Sequence, residues 1–218
     1  MLLDAHSHRP APYPEGIISL RLLTQPLPQP DESALEPAQL YSVGIHPWDT
    51  GEAYSEEAFE RLEAIAALPQ VVMIGECGAD PGKGGPLFRQ LQVLKRHIDL
   101  SERLEKPLVL HCVRSADIIL GLKRDLNPSQ PWIIHGFRGK PALARQFSDK
   151  GLYLSFGEKF NPLSVMQVPP EKILAETDDS QLPIEQIIER LSEAAGRDLL
   201  PTVAKNLSEV VGISSCFD

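Results

Sequence analysis

Two histidines stand one residue apart in the stretch DAHSHRP (residues 4–10), directly behind Met1, Leu2 and Leu3. On an extended strand side chains alternate between faces, so His6 and His8 project from one side, with Asp4 on that side too. Two imidazoles held side by side suit a metal ion. The plainer reading is a pair of polar residues where a strand frays into a loop, and a short motif alone does not separate the two. The other candidates stand at the ends of apolar runs: Glu76 ends VVMIGE, His111 ends PLVLH, His135 ends WIIH, and Asp178 follows KILAET. Burying so many ionisable groups together without counter-charge costs several kcal/mol per ion, so the cluster itself implies cations. Four imidazoles and two carboxylates serve two divalent ions, with one carboxylate bridging a pair about 3.5–4 Å apart. Histidine-rich ligation suits zinc, while the carboxylates also admit manganese or magnesium.

These residues need a scaffold that brings strand ends together. Short apolar segments recur at residues 1–3, 16–23, 40–45, 71–76, 107–112, 132–137, 152–157 and 172–177. Helical periodicity fills 55–67, 87–104, 115–126, 141–149 and 184–195, with Ser55 and Pro183 as helix starts. Strands apolar on both faces that alternate with helices form a parallel sheet covered on both sides. Eight of them predict an α/β fold, a compact TIM (β/α)8 barrel in one domain over residues 1–218, whose strand C-termini converge on a single mouth. An open doubly wound sheet is the alternative. RPAPYPEG and TQPLPQPDESALEPAQ leave little room for helices, so the first two crossover helices are expected to be shortened or missing.

Hydrophobic residues make up 42% and charged residues 23% of the 218, an ordinary globular balance. No apolar run is long enough to cross a bilayer and no basic-then-apolar leader opens the chain, so a cytoplasmic protein without membrane contact is expected. Cys77, Cys112 and Cys216 form no C-x-x-C pair and indicate neither a disulfide framework nor a thiolate site. Cys77 and Cys112 follow ligand candidates and are expected to face away from them into packing. His97, in the middle of a helix, reads as structural. The net charge of −9 argues against a general nucleic-acid binder, yet residues 89–159 carry 13 Lys and Arg against 7 Asp and Glu.

In this order, DAHSH, VGIHPWD, IGECGAD, LVLHC, IIHGFRG, YLSFG and LAETDDS resemble the TatD-related metal-dependent hydrolases of the amidohydrolase superfamily (the TatD nuclease family), in a short-chain subgroup. The resemblance implies a TIM barrel, a binuclear divalent-metal site and hydrolase activity, commonly described as nuclease. By position, His6, His8, Glu76 and Asp178 would hold one metal, and Glu76 would bridge to a second held by His111 and His135. The chain departs from the family at Val113 and Arg114, where an arginine usually follows the histidine by two, and at Gly136 and Arg138. Its segment from 9 to 40 is short, and ETDDS lacks a proline. The metal set is intact; the substrate pocket is the part these changes touch.

A metal-bound water has its pKa lowered toward about 7, and Asp178 is expected to orient it and accept its proton. Glu76 and Asp178 are thus the catalytic carboxylates. His46 in GIHP is expected to touch phosphate or leaving group, Trp48 to stack a base or line the rim, and Arg114 and Arg138 to grip phosphate as planar forks, unless nearby carboxylates pair them. Glu176 is expected to hold a histidine tautomer; Asp80 has no assigned role. The function expected is a metal-dependent phosphodiesterase or deoxyribonuclease acting on DNA or another nucleic-acid end. The alternative is a hydrolase of a small amide, ester or lactone, which the same barrel and metals serve.

Overall fold

Short apolar runs flanked by turn residues become strands that are buried on both faces. The computed structural model describes residues 1–24, 35–51 and 54–213. Its strands are β1 (Asp4–Ser7), β2 (Gly16–Arg21), β3 (Leu40–Gly44), β4 (Val71–Ala79), β5 (Leu108–Cys112), β6 (Trp132–Ile134), β7 (Tyr153–Phe156) and β8 (Ile173–Ala175). Each pairs in parallel with the next, and β8 returns to β1 through Asp4 and Ala175, closing the barrel. The first strand lies at Asp4–Ser7, not over residues 1–3 as expected. All four of its residues are buried although three are polar, so hydrophobicity points to the wrong end of the segment.

The helices are α1 (Glu56–Ala66), α2 (Leu87–Leu104), α3 (Ala116–Leu126), α4 (Pro141–Asp149), α5 (Pro162–Val165), α6 (Ile184–Ala195) and α7 (Leu200–Val210). Ser55 starts α1 because its hydroxyl accepts the Ala58 N–H at 3.2 Å, satisfying one of the donors a helix start leaves free. Gly196, at φ 67°, ends α6 in the left-handed conformation that glycine takes without a Cβ penalty. Residues 8–15, between β1 and β2, form no helix, and none occurs among the described residues between β2 and β3. Cys216 lies outside the described residues. Among them, no helix is long and apolar enough to cross a membrane.

The barrel is filled from below. Ala5, Ile17, Met73, Val109, Ile133 and Leu174 meet inside it, and Leu207 and Val210 of α7 pack against them as a floor. Asn206 ties α7 down by donating to the Pro170 and Ile173 carbonyls, each at 2.8 Å. A second, larger core lies between sheet and helices and includes Phe59, Leu62, Leu94, Ile98, Phe147 and Leu191. Burying each such side chain contributes about 1.5–3 kcal/mol. With the floor apolar, the polar strand ends are left to the opposite mouth.

Candidate metal centre

Two strands that carry site residues are bulged. Asp4 and Ser7 of β1 pair with Gly16 and Ile18, so three steps on β1 match two on β2. Likewise Ile74 and Cys77 of β4 pair with Leu108 and Leu110, and Glu76 lies inside the irregular stretch. Bulges re-aim side chains, and here they bring His6 and Glu76 to the barrel axis. Gly78 lets β4 approach β5: at φ 145°, a Cβ there would sit 2.1 Å from the His111 carbonyl oxygen. Asp178 is held at φ 52° between β8 and β1, donating its N–H to the His6 carbonyl at 2.9 Å and accepting from the His8 N–H at 3.2 Å.

Glu76 is the hub of the centre. Its Oε1 lies 2.7 Å from His111 Nδ1, 2.7 Å from His135 Nε2 and 3.0 Å from His46 Nε2, while Oε2 lies 3.6 Å from His6 Nε2. His8 Nε2 is 3.7 Å from Asp178 Oδ1. The His6 ring stacks obliquely on His135 at 4.4 Å and meets His8 edge-on at 5.1 Å. All six residues expected as ligands therefore reach one cluster. Asp4 does not join it: its carboxylate turns to the β1–β8 seam, accepting from Thr177 Oγ1 at 2.6 Å and Tyr13 Oη at 3.0 Å.

Burial sets the charge states. It alone would raise the Glu76 carboxyl, but the His135 charge and hydrogen bonds from His111, His135 and His46 hold it well below the usual range. Burial, reinforced by the charge of His135, drives His6 well below an ordinary imidazole. Against burial, Glu76 and Glu176 raise His135 well above it. Burial and the charge of Glu176 raise Asp178 to about 6, and burial raises Asp4 to about 7.

The donor set fits divalent ions. Both ring nitrogens of His6 and His111 Nε2 are buried without a hydrogen-bond partner. Such orphaned groups carry a desolvation penalty that a coordinated cation removes. Three combinations bring ligand atoms within 4.8 Å of one another in the neighbourhood of the expected pair: His6, Glu76 and His135; His6, His8 and Asp178; and His46, Glu76 and His111. A fourth joins His135 and Asp178 to Glu176. The sequence reading left His46 and Glu176 outside the ligand set. Both stand just past a strand end, His46 after β3 and Glu176 after β8, which is the signal that would have found them.

The remaining candidates separate. His46 is 2% exposed and both its nitrogens are engaged. Its Nδ1 accepts the Trp48 N–H at 3.1 Å, so its Nε2 donates to Glu76. The expected phosphate contact is thus turned inward, away from the open cleft. Trp48, Arg114 and Arg138 do line that cleft, which holds about 880 Å³ between the loops after β5 and β6. Asp80 accepts from Trp48 Nε1 at 2.9 Å and from the Gly82 N–H at 3.0 Å, with its Oδ2 3.9 Å from His111 Nε2. Glu176 accepts the Gly136 N–H at 2.6 Å and lies 3.4 Å from His135 Nδ1. Cys77 is buried in the outer core, whereas Cys112 also lines the cleft, contrary to its expected purely outward packing. His97 is fully buried, with Nδ1–H donating to the Val93 carbonyl and Nε2 accepting the Ile45 N–H.

Fold and site define a (β/α)8 barrel with a histidine–carboxylate centre suited to divalent metals at its mouth. A family model described as TatD related DNase matches residues 29–215, and the chain belongs to that family. The matched stretch starts after β1, so the placement of His6 and His8 comes from the structure. The chain is 28% identical over 147 residues to the 3'-5' ssDNA/RNA exonuclease TatD of Citrobacter rodentium, covering 63% of this chain and 56% of that one. It is 30% identical over 150 residues to an uncharacterized metal-dependent hydrolase TatD of Mycobacterium tuberculosis, with the same coverage. The chain thus spans a little over half the length of these curated relatives. The TatD homolog YJJV of Escherichia coli shares the fold at TM-score 0.79 and 20% identity over 98% of both chains. A TatD family hydrolase of Entamoeba histolytica does so at 0.76 and 16%, over 96% of this chain and 97% of that one.

Proposed function

We propose that this protein is a metal-dependent phosphodiesterase that hydrolyses DNA or another nucleic acid from an end. The observation that carries the reading is the convergence of His6, His8, Glu76, His111, His135 and Asp178 on one cluster with orphaned buried imidazole nitrogens, three of whose members, His111, His135 and Asp178, line an open cleft. Two divalent ions, zinc, manganese or magnesium, would fit this set: His6, His8, Glu76 and Asp178 would hold one, and Glu76, His111 and His135 the other. When bound, such ions supply a nucleophile at neutral pH and stabilise charge developing on the attacked centre.

The chain's own groups do the rest. Asp178, whose Oδ1 lies 3.7 Å from His8 Nε2 at the mouth, accepts the proton of the attacking water as a carboxylate general base. His46 donates to Glu76 and fixes its orientation. Glu176 faces His135 Nδ1 and holds that ring's tautomer, the support that ligating imidazoles generally have. Arg114 and Arg138 bind phosphate oxygens across the cleft and Trp48 forms its edge. The free thiols of Cys77 and Cys112 agree with a cytoplasmic location. The test is a screen of metal-saturated protein on single-stranded DNA, duplex DNA, RNA, esters, lactones and amides. Hydrolysis of nucleic acid is expected, and turnover confined to carbonyl substrates would replace this reading with the carbonyl-hydrolase one.

A further inference from the structure

Resting on the phosphodiesterase reading, we infer that a single nucleic-acid strand lies along an arc of unpaired cations formed by Lys83, Arg114, Arg138 and Lys159, on one side of the mouth only. The four come from the loops after β4, β5, β6 and β7 in strand order. Two adjoining clefts connect them. The larger is lined by Trp48, Arg114 and Arg138, the smaller by Arg138 and Lys159, and both share Gly136, Asp178 and Asp179. Lys83 joins the arc through Trp48, its ammonium 3.2 Å from the centre of the ring.

The asymmetry around the mouth supports this assignment. On the β1–β2 side, Arg9 is spent on the Ser180 and Leu182 carbonyls, at 3.3 and 2.6 Å. Arg21 is clamped by Asp49, its closest contact 2.8 Å. Among the described residues, none of the four arc cations has a carboxylate within ion-pair distance; Asp80, the acid whose carboxyl the Arg114 charge helps to lower, is taken up by Trp48 and Gly82. Lys83, Arg114, Arg138 and Lys159 are all exposed. Cations without an ion-pair partner beside the candidate metal centre suit a polyanion that arrives from solution. The acids in the two clefts have other attachments or positions: Asp178 is in the ligand set, Glu176 is buried against His135, Glu158 accepts from Ser180 Oγ at 2.8 Å, and Asp117 stands in the first turn of α3. Asp179 remains, exposed at the rim. Four cations spread over four loops exceed what one phosphate needs. The occupant is therefore an oligonucleotide strand and not a mononucleotide.

Binding measures this separately from hydrolysis. Metal-loaded protein is titrated by fluorescence anisotropy with a labelled thymidine decamer whose phosphorothioate linkages resist cleavage, across a series of salt concentrations. Each phosphate contact contributes about 0.7 to the slope of log affinity against log salt for a single strand. Lys83→Ala with Lys159→Ala, at the two ends of the arc, should therefore flatten the slope by about 1.4. Lys205→Ala, on α7 at the floor and paired with Glu209 at 3.6 Å, should leave it unchanged. An unaltered slope in the double variant, or an equal loss in the Lys205 variant, overturns the arc even if DNA is cleaved. A flattened slope in a protein that cleaves no nucleic acid supports the arc while removing the hydrolytic reading.

Discussion

The two ends of the barrel are built on opposite terms. At the floor, Ala5, Ile17, Met73, Val109, Ile133 and Leu174 close against Leu207 and Val210, and the polar group that reaches in, Asn206, finds two carbonyl partners. At the mouth, the same strands present four imidazoles and two carboxylates, several of whose buried atoms have no protein partner. The floor is complete with protein atoms alone, and its contribution is stability. The mouth is complete only with something added, and the divalent ions proposed there supply it.

If that contrast is right, damage at each end has a different signature. The largest effect belongs to the mouth: His111→Ala should remove hydrolysis and lower the divalent-ion content at saturation, from two per chain in the wild type by elemental analysis. A wild type saturating at one ion would break the binuclear assignment. Next comes Leu207→Ala at the floor, expected to cost about 2–5 kcal/mol in urea unfolding, through lost burial and a residual cavity. Metal content per folded chain should not change, and a fall in it would show that floor and mouth are coupled.

Asp178 tests the chemistry within the mouth. Asp178→Asn keeps shape and loses the basic carboxylate, so kcat should drop by about a hundredfold or more, within the usual range of general acid–base contributions. A folded, metal-loaded variant with unchanged kcat would remove Asp178 from the proton-accepting role.

The floor and wall were easier to read in the sequence than the mouth, for a physical reason. Helix α2 was anticipated over 87–104 and observed at Leu87–Leu104, because an amphipathic stripe states its own limits. Strands β2 to β8 were recognised as apolar runs, since both their faces are buried. β1 was misplaced because its buried residues Asp4, His6 and Ser7 are polar, serving the site and the β8 seam and not a greasy core. α7 is not expected as a helix from its sequence, because Pro201, Thr202 and Asn206 dilute its pattern, and its role as a plug depends on the closed barrel. In the site, the ligand candidates were legible as metal-type residues at strand ends. The inward turn of His46 was not, because it follows from the Trp48 N–H that occupies its Nδ1.

His97 sharpens the comparison, being a histidine buried as deeply as His6 of the mouth but with both nitrogens partnered by the chain. Its Nε2 must stay unprotonated to accept the Ile45 N–H, and burial lowers its pKa from 6.5 to about 4. The unfolded chain therefore binds a proton here that the folded chain refuses between those two values, and stability falls as pH drops through that window. At about 1.4 kcal/mol per pH unit, the loss from this residue between pH 7 and pH 5 is about 2 kcal/mol. His97→Gln, which keeps an acceptor for Ile45 without a titrating ring, should escape that loss. The stability gap between wild type and variant in urea unfolding should thus shift by about 2 kcal/mol in favour of the variant on going from pH 7 to pH 5. Parallel pH curves for the two proteins would mean that the folded state protonates His97 as readily as the unfolded one, and that full partnering does not separate this histidine from those awaiting a metal.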